Sequence, residues 1–306
     1  MMGGRHYQVY DVFTDTVLTG NPLAVVHDSA DLDDDAMQRI AREFNFSETV
    51  FVLPAQNPAH TARIRIFTPE YEMPFAGHPT VGSAVALAQK RFADVSQDQE
   101  ALIILEENVG PVRCGVKLTK GGAFAEFDLP KLPEPMPYDY DKIALARALG
   151  LEPKEIGFEN HVPMIWDAGV PYLLIPVHGL AAAGRIRIDQ AAMKNVAPTI
   201  GLRQLPAYVY CRETSLHDSN FHARMFVSDD GTYEDPATGS ATAAFAGAIH
   251  YFDAPLDGLL RLWLEQGQEM GRPSRLRLEL DIADQKLVGG RIGGSAVKTA
   301  EGQLFV

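Results

Sequence analysis

Pro79-Thr80-Val81-Gly82-Ser83-Ala84-Val85-Ala86-Leu87-Ala88 is small or apolar on every helical face, the composition of a helix enclosed on all sides rather than one lying on a surface. Proline falls in the first turn, where its missing N–H is no loss, and Lys90 and Arg91 stand at the end, where positive charge suits a helix carboxyl terminus. Arg65-Ile66-Phe67 leads into this segment through a loop. Late in the chain the succession returns: Arg224-Met225-Phe226, a loop two residues shorter, then Gly239-Ser240-Ala241-Thr242-Ala243, with Pro236 near the helix start. A repeat of this kind outranks local propensity in reading architecture. The expectation is an α+β chain of two similar lobes made by duplication, each a mostly antiparallel sheet or barrel around one central helix.

The segments on either side fit that plan. Residues 5–26 read as strand, turn and strand, with Thr19-Gly20-Asn21-Pro22 as the turn. A one-sided helix follows, acidic at Asp33, Asp34 and Asp35, basic at Arg39 and Arg42, with Met37, Ile40, Ala41 and Phe44 on one stripe. It stops by Asn45, and residues 49–53 and 62–68 read as strands, as do 102–105, 112–118 and 123–129. Pro130, Pro133, Pro135 and Pro137 mark a linker. Beyond it a helix over residues 140–149 closes at Gly150, strands follow around 165–168 and 172–177, and a helix starts at Asp189. Residues 1–128, joined by a return of 285–306, are expected to form the first lobe and 129–284 the second.

Composition narrows the function. The chain has 306 residues, enough for two domains of ~150. Its 27 basic and 40 acidic side chains leave a net charge of −13, which repels nucleic acid and anionic membrane surfaces alike. No apolar stretch approaches the ~20 residues of a membrane span. The two cysteines, Cys114 and Cys211, have no metal-type or redox-type neighbours. Met1-Met2-Gly3-Gly4-Arg5-His6 lacks the apolar core of a signal peptide, and a cytoplasmic location is expected.

A helix start has amide groups with no intrahelical partner and a partial positive charge, so it attracts anions. Two buried starts facing one cleft would hold a small acidic substrate without Lys or Arg. Next to them stand His78, in Ala76-Gly77-His78-Pro79-Thr80, and Asp235, in Glu234-Asp235-Pro236-Ala237-Thr238-Gly239-Ser240. Each has a plain structural alternative: Asp235 before proline is a good helix cap, and His78 fits a cap or turn. Glu48, in Asn45-Phe46-Ser47-Glu48-Thr49-Val50, stands where a carboxylate is ordinarily solvated. Its place at the mouth of a buried strand is what directs it toward a cleft.

Other chemistries lose their motifs. The glycine spacing over residues 77–83 is that of a phosphate loop, but Ser83 stands where lysine is required. No Gly-x-Ser-x-Gly elbow and no His-Glu-x-x-His occurs, and residues 289–294 lack the setting of a dinucleotide fingerprint. No cofactor and no metal are expected.

Together these residues resemble the PhzF family of phenazine-biosynthesis-type isomerases. The likeness runs through Asp11-Val12-Phe13, Gly20-Asn21-Pro22, Asn45-Phe46-Ser47-Glu48-Thr49, Gly77-His78-Pro79-Thr80, Asp235-Pro236-Ala237-Thr238-Gly239-Ser240-Ala241, Gln266-Gly267, Gly271-Arg272-Pro273-Ser274 and Gly293-Gly294. The resemblance implies a diaminopimelate epimerase-like fold and a homodimer. It makes Glu48 the acid-base residue, with His78 and Asp235 as catalytic or orienting partners and Ser47, Gly77, Gly239 and Ser240 lining the substrate site. The reaction implied moves a proton within a small cyclic amino or hydroxy carboxylic acid, and it would need a Glu48 pKa raised by burial and by Asp235. Related racemases use two thiols at the helix starts; here Ala76-Gly77-His78 and Asp235 occupy those places. The alternatives are a carboxylate- and histidine-based epimerase, and a binding or interaction protein that keeps the pocket without turnover. Gly271-Arg272-Pro273-Ser274 reads as a basic turn ahead of a strand.

Overall fold

The computed structural model describes residues 4–92, 97–201, 203–227 and 233–306; the first three residues of the amino-terminal segment, and part of the loop after Phe226, lie outside them. The chain divides into two compact units, Met1–Pro130 with Ile292–Val306, and Lys131–Arg291.

In the first unit, β1 (Arg5–Val12) pairs antiparallel with β2 (Asn21–Val26). Helix α1 (Asp34–Phe44) follows, and β3 (Glu48–Leu53) returns parallel to β2 with Glu48 opposite Leu23. Strands β4 (Ala62–Phe67) and β5 (Glu72–Met73) continue antiparallel. After α2 (Gly77–Arg91), β6 (Gln99–Glu107) lies parallel to β4, and β7 (Gly110–Thr119) and β8 (Gly122–Asp128) complete an antiparallel meander. The carboxy-terminal strand Lys286–Leu304 pairs with both β1 and β8, which closes the sheet into a mixed barrel.

Local chemistry sets these elements. The Asp33 side chain accepts from the Ala36 amide at 2.8 Å and caps α1. Asn45, at φ 53°, ends it in the left-handed conformation that asparagine tolerates. Met37, Ile40 and Ala41 pack on Phe51, Phe67 and Val26; burying a side chain the size of Met37 contributes about 2 kcal/mol. Helix α2 behaves differently, as its composition predicts: residues 77–86 are all buried, and it packs against β1, β2, β3, β6, β7 and β8. It begins at Gly77, two residues before the proline. On β4, the Arg65 guanidinium grips the Glu72 carboxylate through two hydrogen bonds of 2.8 and 2.6 Å and lies over the Phe67 ring.

The second unit opens with β9 (Glu134–Met136), a strand inside the proline-rich segment, which pairs with β10 (Met164–Asp167). Helix α3 (Lys142–Leu149), capped by Asp141 and ended by left-handed Gly150, lies between them in sequence. Strand β11 (Pro171–Pro176) is antiparallel to β10; α4 (Leu180–Arg185) and α5 (Gln190–Val196) follow, then the short hairpin β12 (Thr199–Ile200) and β13 (Arg203–Gln204). Strand β14 (Ala207–Cys211) runs parallel to β11, and β15 (Phe221–Val227) and β16 (Tyr233–Asp235) continue antiparallel. Helix α6 (Gly239–Asp253) is buried over residues 239–249; β17 (Gly258–Gln266) then lies parallel to β15, and β18 (Ser274–Ala283) antiparallel to β17. Arg224 of β15 forks to Glu234 at 2.8 and 2.7 Å over the Phe226 ring. Among the described residues no helix is long and apolar enough to cross a membrane.

Enclosure of a helix can be tested at its glycines. Alanine raises intrinsic helix stability by ~1 kcal/mol over glycine. A Cβ on Gly82 would nevertheless stand 2.5 Å from Leu23 Cδ2 and 2.8 Å from Val12 Cγ2, whereas one on the exposed Gly184 of α4 meets nothing. Gly82→Ala is expected to destabilise the protein by about 1–3 kcal/mol through overpacking, and Gly184→Ala to leave it equal or firmer. Urea unfolding of the two variants reads the difference, and equal gains in both would mean that α2 is not tightly enclosed.

Candidate active site

The turn that ends α1 sets the position of Glu48. Left-handed Asn45 redirects the chain, and three residues later Glu48 opens β3 with its side chain 14 % exposed. His78 stands in the first turn of α2, fully enclosed, with its Nε2 3.4 Å from Glu48 Oε2. That separation is an ion-pair distance rather than a hydrogen bond, and His78 Nε2 makes no hydrogen bond.

The ring is oriented from its other side, where it donates a hydrogen bond to the Pro22 carbonyl. Since Nε2 has no such bond, the donor is Nδ1. Burial pushes the His78 pKa down to about 3, only partly opposed by the Pro22 carbonyl, so the ring is a neutral imidazole across the physiological range. With hydrogen on Nδ1, Nε2 carries a lone pair and faces a carboxyl oxygen. A proton lying between the two atoms would suit both, so the arrangement is one in which a carboxyl can lose and regain a proton beside a neutral acceptor.

The Pro22 carbonyl is itself held in place. Asp11, buried on β1, accepts the Leu18 amide at 2.6 Å, and Gly20 at φ 65° turns the chain where a Cβ would strike Val12 O and Thr14. The stretches Asp11-Val12-Phe13 and Gly20-Asn21-Pro22 thus build the loop that presents this acceptor. Ser47 precedes Glu48, and Gly77 is the first residue of α2, behind an extended Ala76 that supplies no side-chain cap.

In the second unit Asp235 ends β16 and is buried. It does not cap α6. Thr238 holds the cap position, and its hydroxyl donates to Asp235 Oδ2 at 2.5 Å, so the helix-cap alternative for Asp235 falls away and its carboxyl braces the loop. The Gln266 amide donates to Asp235 O at 2.7 Å and to Thr238 Oγ1 at 3.1 Å, and Gln266 Oε1 accepts the Thr238 amide at 3.2 Å. Gly267, at φ 83°, passes so close to the carbonyls of Arg272 and Pro236 that no side chain fits, and Arg272 N returns a hydrogen bond to Gly267 O at 3.0 Å. The segment 271–274 is a turn before β18, as its sequence suggests, and it backs the Asp235 loop. Gly239 is the first residue of α6, again with no side-chain cap bond, and Ser240 shares a hydrogen bond of 2.7 Å with the buried Tyr172 hydroxyl.

The structure therefore brings Glu48 and His78 together, with Ser47 and Gly77 beside them in the chain, and gathers Asp235, Gly239 and Ser240 around the start of α6. Sequence reading gave no role to the Pro22 carbonyl, Thr238, Gln266 or Tyr172. Pro22, Gln266 and Tyr172 act from strands or loops distant in the chain, and no local spacing announces them, while Thr238 lies inside the Asp235 motif itself.

Residues 10–302 match the family model PhzC-PhzF, phenazine biosynthesis-like protein. An uncharacterized isomerase of Mesorhizobium japonicum is 60% identical over 306 residues, covering 100% of both chains. The trans-2,3-dihydro-3-hydroxyanthranilate isomerase of Pseudomonas aeruginosa is 32% identical, covering 99% of this chain and 100% of that one. The crystal structure of the Bacillus anthracis phenazine biosynthesis protein of the PhzF family superposes with a TM-score of 0.87 at 28% identity, covering 100% of both. With Glu48, His78, Asp235 and their supporting loops on one continuous match, the chain belongs to the phenazine biosynthesis-like (PhzC-PhzF) family and is an isomerase.

Proposed function

We propose that this isomerase moves a proton between two carbons of a small cyclic amino or hydroxy carboxylic acid, with Glu48 as the acid-base group. The Glu48 carboxylate takes the proton from one carbon, the electron pair left behind shifts a double bond along the ring, and the same carboxyl returns the proton at another carbon. One C–H bond breaks, one forms, and neither an oxidant nor a bound cofactor is called for. The observation that carries this reading is the 3.4 Å approach of Glu48 to a neutral, dry His78 whose hydrogen faces Pro22. A base and an acid of one reaction need a partner that does not drain the proton permanently, and a neutral imidazole meets that need.

Asp235 is proposed to act with them, and Ser47, Gly77, Gly239 and Ser240 to line the substrate. The helix starts at Gly77 and Gly239 lack side-chain caps, which suits recognition of a substrate carboxylate by backbone amides in so acidic a protein. We also propose that the two units arose by duplication. It is supported by matching Arg-Glu forks over Phe67 and Phe226 and by the same order of pairings, parallel, antiparallel, antiparallel and parallel, from β2 to β6 and from β11 to β17. A cytoplasmic location belongs to the same proposal.

A panel of cyclic hydroxy-amino acids, beginning with the compound named for the Pseudomonas aeruginosa relative, tests the reaction in deuterated water. Isomerised, labelled product is expected from the native protein, and Glu48→Gln is expected to lower the rate by about 10²–10⁴. Equal turnover in both proteins would remove Glu48 from the mechanism.

The His78 tautomer is tested without a substrate. With the folded pKa at about 3 and the ordinary value at 6.5, the ring resonances are expected to stay in the neutral Nδ1–H form from pH 5 to 8 by nuclear magnetic resonance. The same depressed pKa removes stability as pH falls below about 6.5, because only the unfolded chain then takes up the proton. A His78 titration centred between pH 6 and 7 would rule out the dry, neutral imidazole.

A further inference from the structure

Near the start of α2, but outside the set of groups just described, a second carboxyl is sealed inside the first unit. Glu107 ends β6 and is buried, and its only hydrogen-bond partner among the described residues is the Thr80 hydroxyl, 2.8 Å from Oε1. Its Oε2 is buried with no partner. The same Thr80 hydroxyl also stands 2.8 Å from the carbonyl of Ala76, the residue that caps α2.

One hydroxyl has one hydrogen, so it cannot donate to both. A backbone carbonyl only accepts. If Thr80 donates to Ala76 O, then Thr80 Oγ1 must receive a hydrogen from Glu107, and only a protonated carboxyl has one to give. An ionised Glu107 would leave one of the two 2.8 Å contacts without a proton and would hold a charge in the interior with no cation beside it, at a cost of several kcal/mol.

The surroundings offer no such cation. Arg65 of β4 is committed to Glu72, Arg113 and Lys117 lie on the exposed face of β7, and Lys90 and Arg91 are at the far end of α2. On β6 itself Glu106 faces His60. The buried Cys114 thiol of β7 is neutral, burial holding its pKa well above the usual value, Asp128 of β8 is another acid, and the His78 ring is neutral. In the second unit Gln266 ends β17 as Glu107 ends β6, and its amide, a group that always donates, bonds the hydroxyl of Thr238, the residue before α6.

We propose that Glu107 is a neutral carboxylic acid that donates to Thr80 Oγ1, which donates in turn to Ala76 O, and that this relay positions the first turn of α2 and with it His78. Glu107 is a positioning residue; it exchanges no proton with a substrate, and the proposal does not depend on the isomerase reading.

The test compares the full chain with Glu107→Gln and Glu107→Leu. Burial raises the Glu107 pKa from 4.5 to about 8. The native protein therefore has this group's full contribution below pH 4.5 and loses it as pH rises to about 8. The glutamine variant donates at every pH, so its melting temperature should exceed that of the native protein by a margin that widens from pH 5 to pH 8 and then levels. Infrared spectroscopy at pH 7 should show a protonated-carboxyl carbonyl band that Glu107→Gln removes. The His78 ring resonances should be kept in Glu107→Gln and displaced in Glu107→Leu. Melting curves that stay parallel from pH 5 to 8, or a native spectrum without the band, overturn the protonated acid. His78 resonances unmoved in the leucine variant overturn the positioning role.

Discussion

The hydrogen bond from His78 to the Pro22 carbonyl is the contact on which the chemistry of the first unit rests. It decides which ring nitrogen carries hydrogen, and so what Glu48 faces. In water this bond would decide little, because solvent would protonate Nε2 as readily as the carbonyl engages Nδ1. The ring is buried, and desolvation outweighs the pull of the Pro22 carbonyl. The surrounding features then have a common purpose: Asp11 and Gly20 fix the loop that carries the acceptor, the small residues of α2 let the ring reach it, and Asn45 brings Glu48 to the other edge.

That enclosure sets up a tension at the helix start. A buried helix terminus ordinarily recruits a side chain to satisfy its first amides, as Asp33, Asp141 and Asp189 do for α1, α3 and α5. The two helices buried along most of their length are the ones begun by Ala76 and Thr238 with no such bond. Capping by the preceding side chain is thus found at α1, α3 and α5 and is absent at α2 and α6, as it is at the short α4. A glycine takes the first position in both α2 and α6.

Much of this was readable from the chain. The all-round apolar pattern of residues 79–88 foretold the enclosure of α2, since a lone surface helix cannot carry it, and the charges and stripe of residues 33–44 gave α1 nearly to the residue. Glu48, His78 and Asp235 stood out through motif resemblance, yet only the first two are brought together by strand pairing and helix position within one unit. The proposed repeat takes a different register when its helix starts are aligned. Matching Gly82-Ser83 with Gly239-Ser240 makes the second loop two residues shorter, whereas the helices begin at Gly77 and Gly239, so the second loop is the longer one. Small residues recur every few positions along an enclosed helix, and their pattern slides easily by a turn. The carbonyl of Pro22 and the amide of Gln266 were unreadable because backbone groups and distant strand ends leave no trace in local spacing.

The corrected register bears on the chemistry. With the helix starts aligned, His78 falls opposite Ser240, and Asp235, whose strand partner is Met225, falls opposite Met73, whose strand partner is Ile66. The two candidate groups flanking the helices are therefore not duplicates of one another. An epimerase that inverts a single carbon needs two acid-base groups, one to remove the proton from one face and one to deliver it to the other. A proton shift between different carbons needs one group that does both, set beside a partner that neither captures nor expels the proton. The first unit sets the Glu48 carboxyl, the group proposed for that part, against a neutral imidazole, while the second has Asp235 tied to Thr238 and a serine tied to Tyr172. On the proposed repeat, this difference between the two helix starts is what favours isomerisation over inversion.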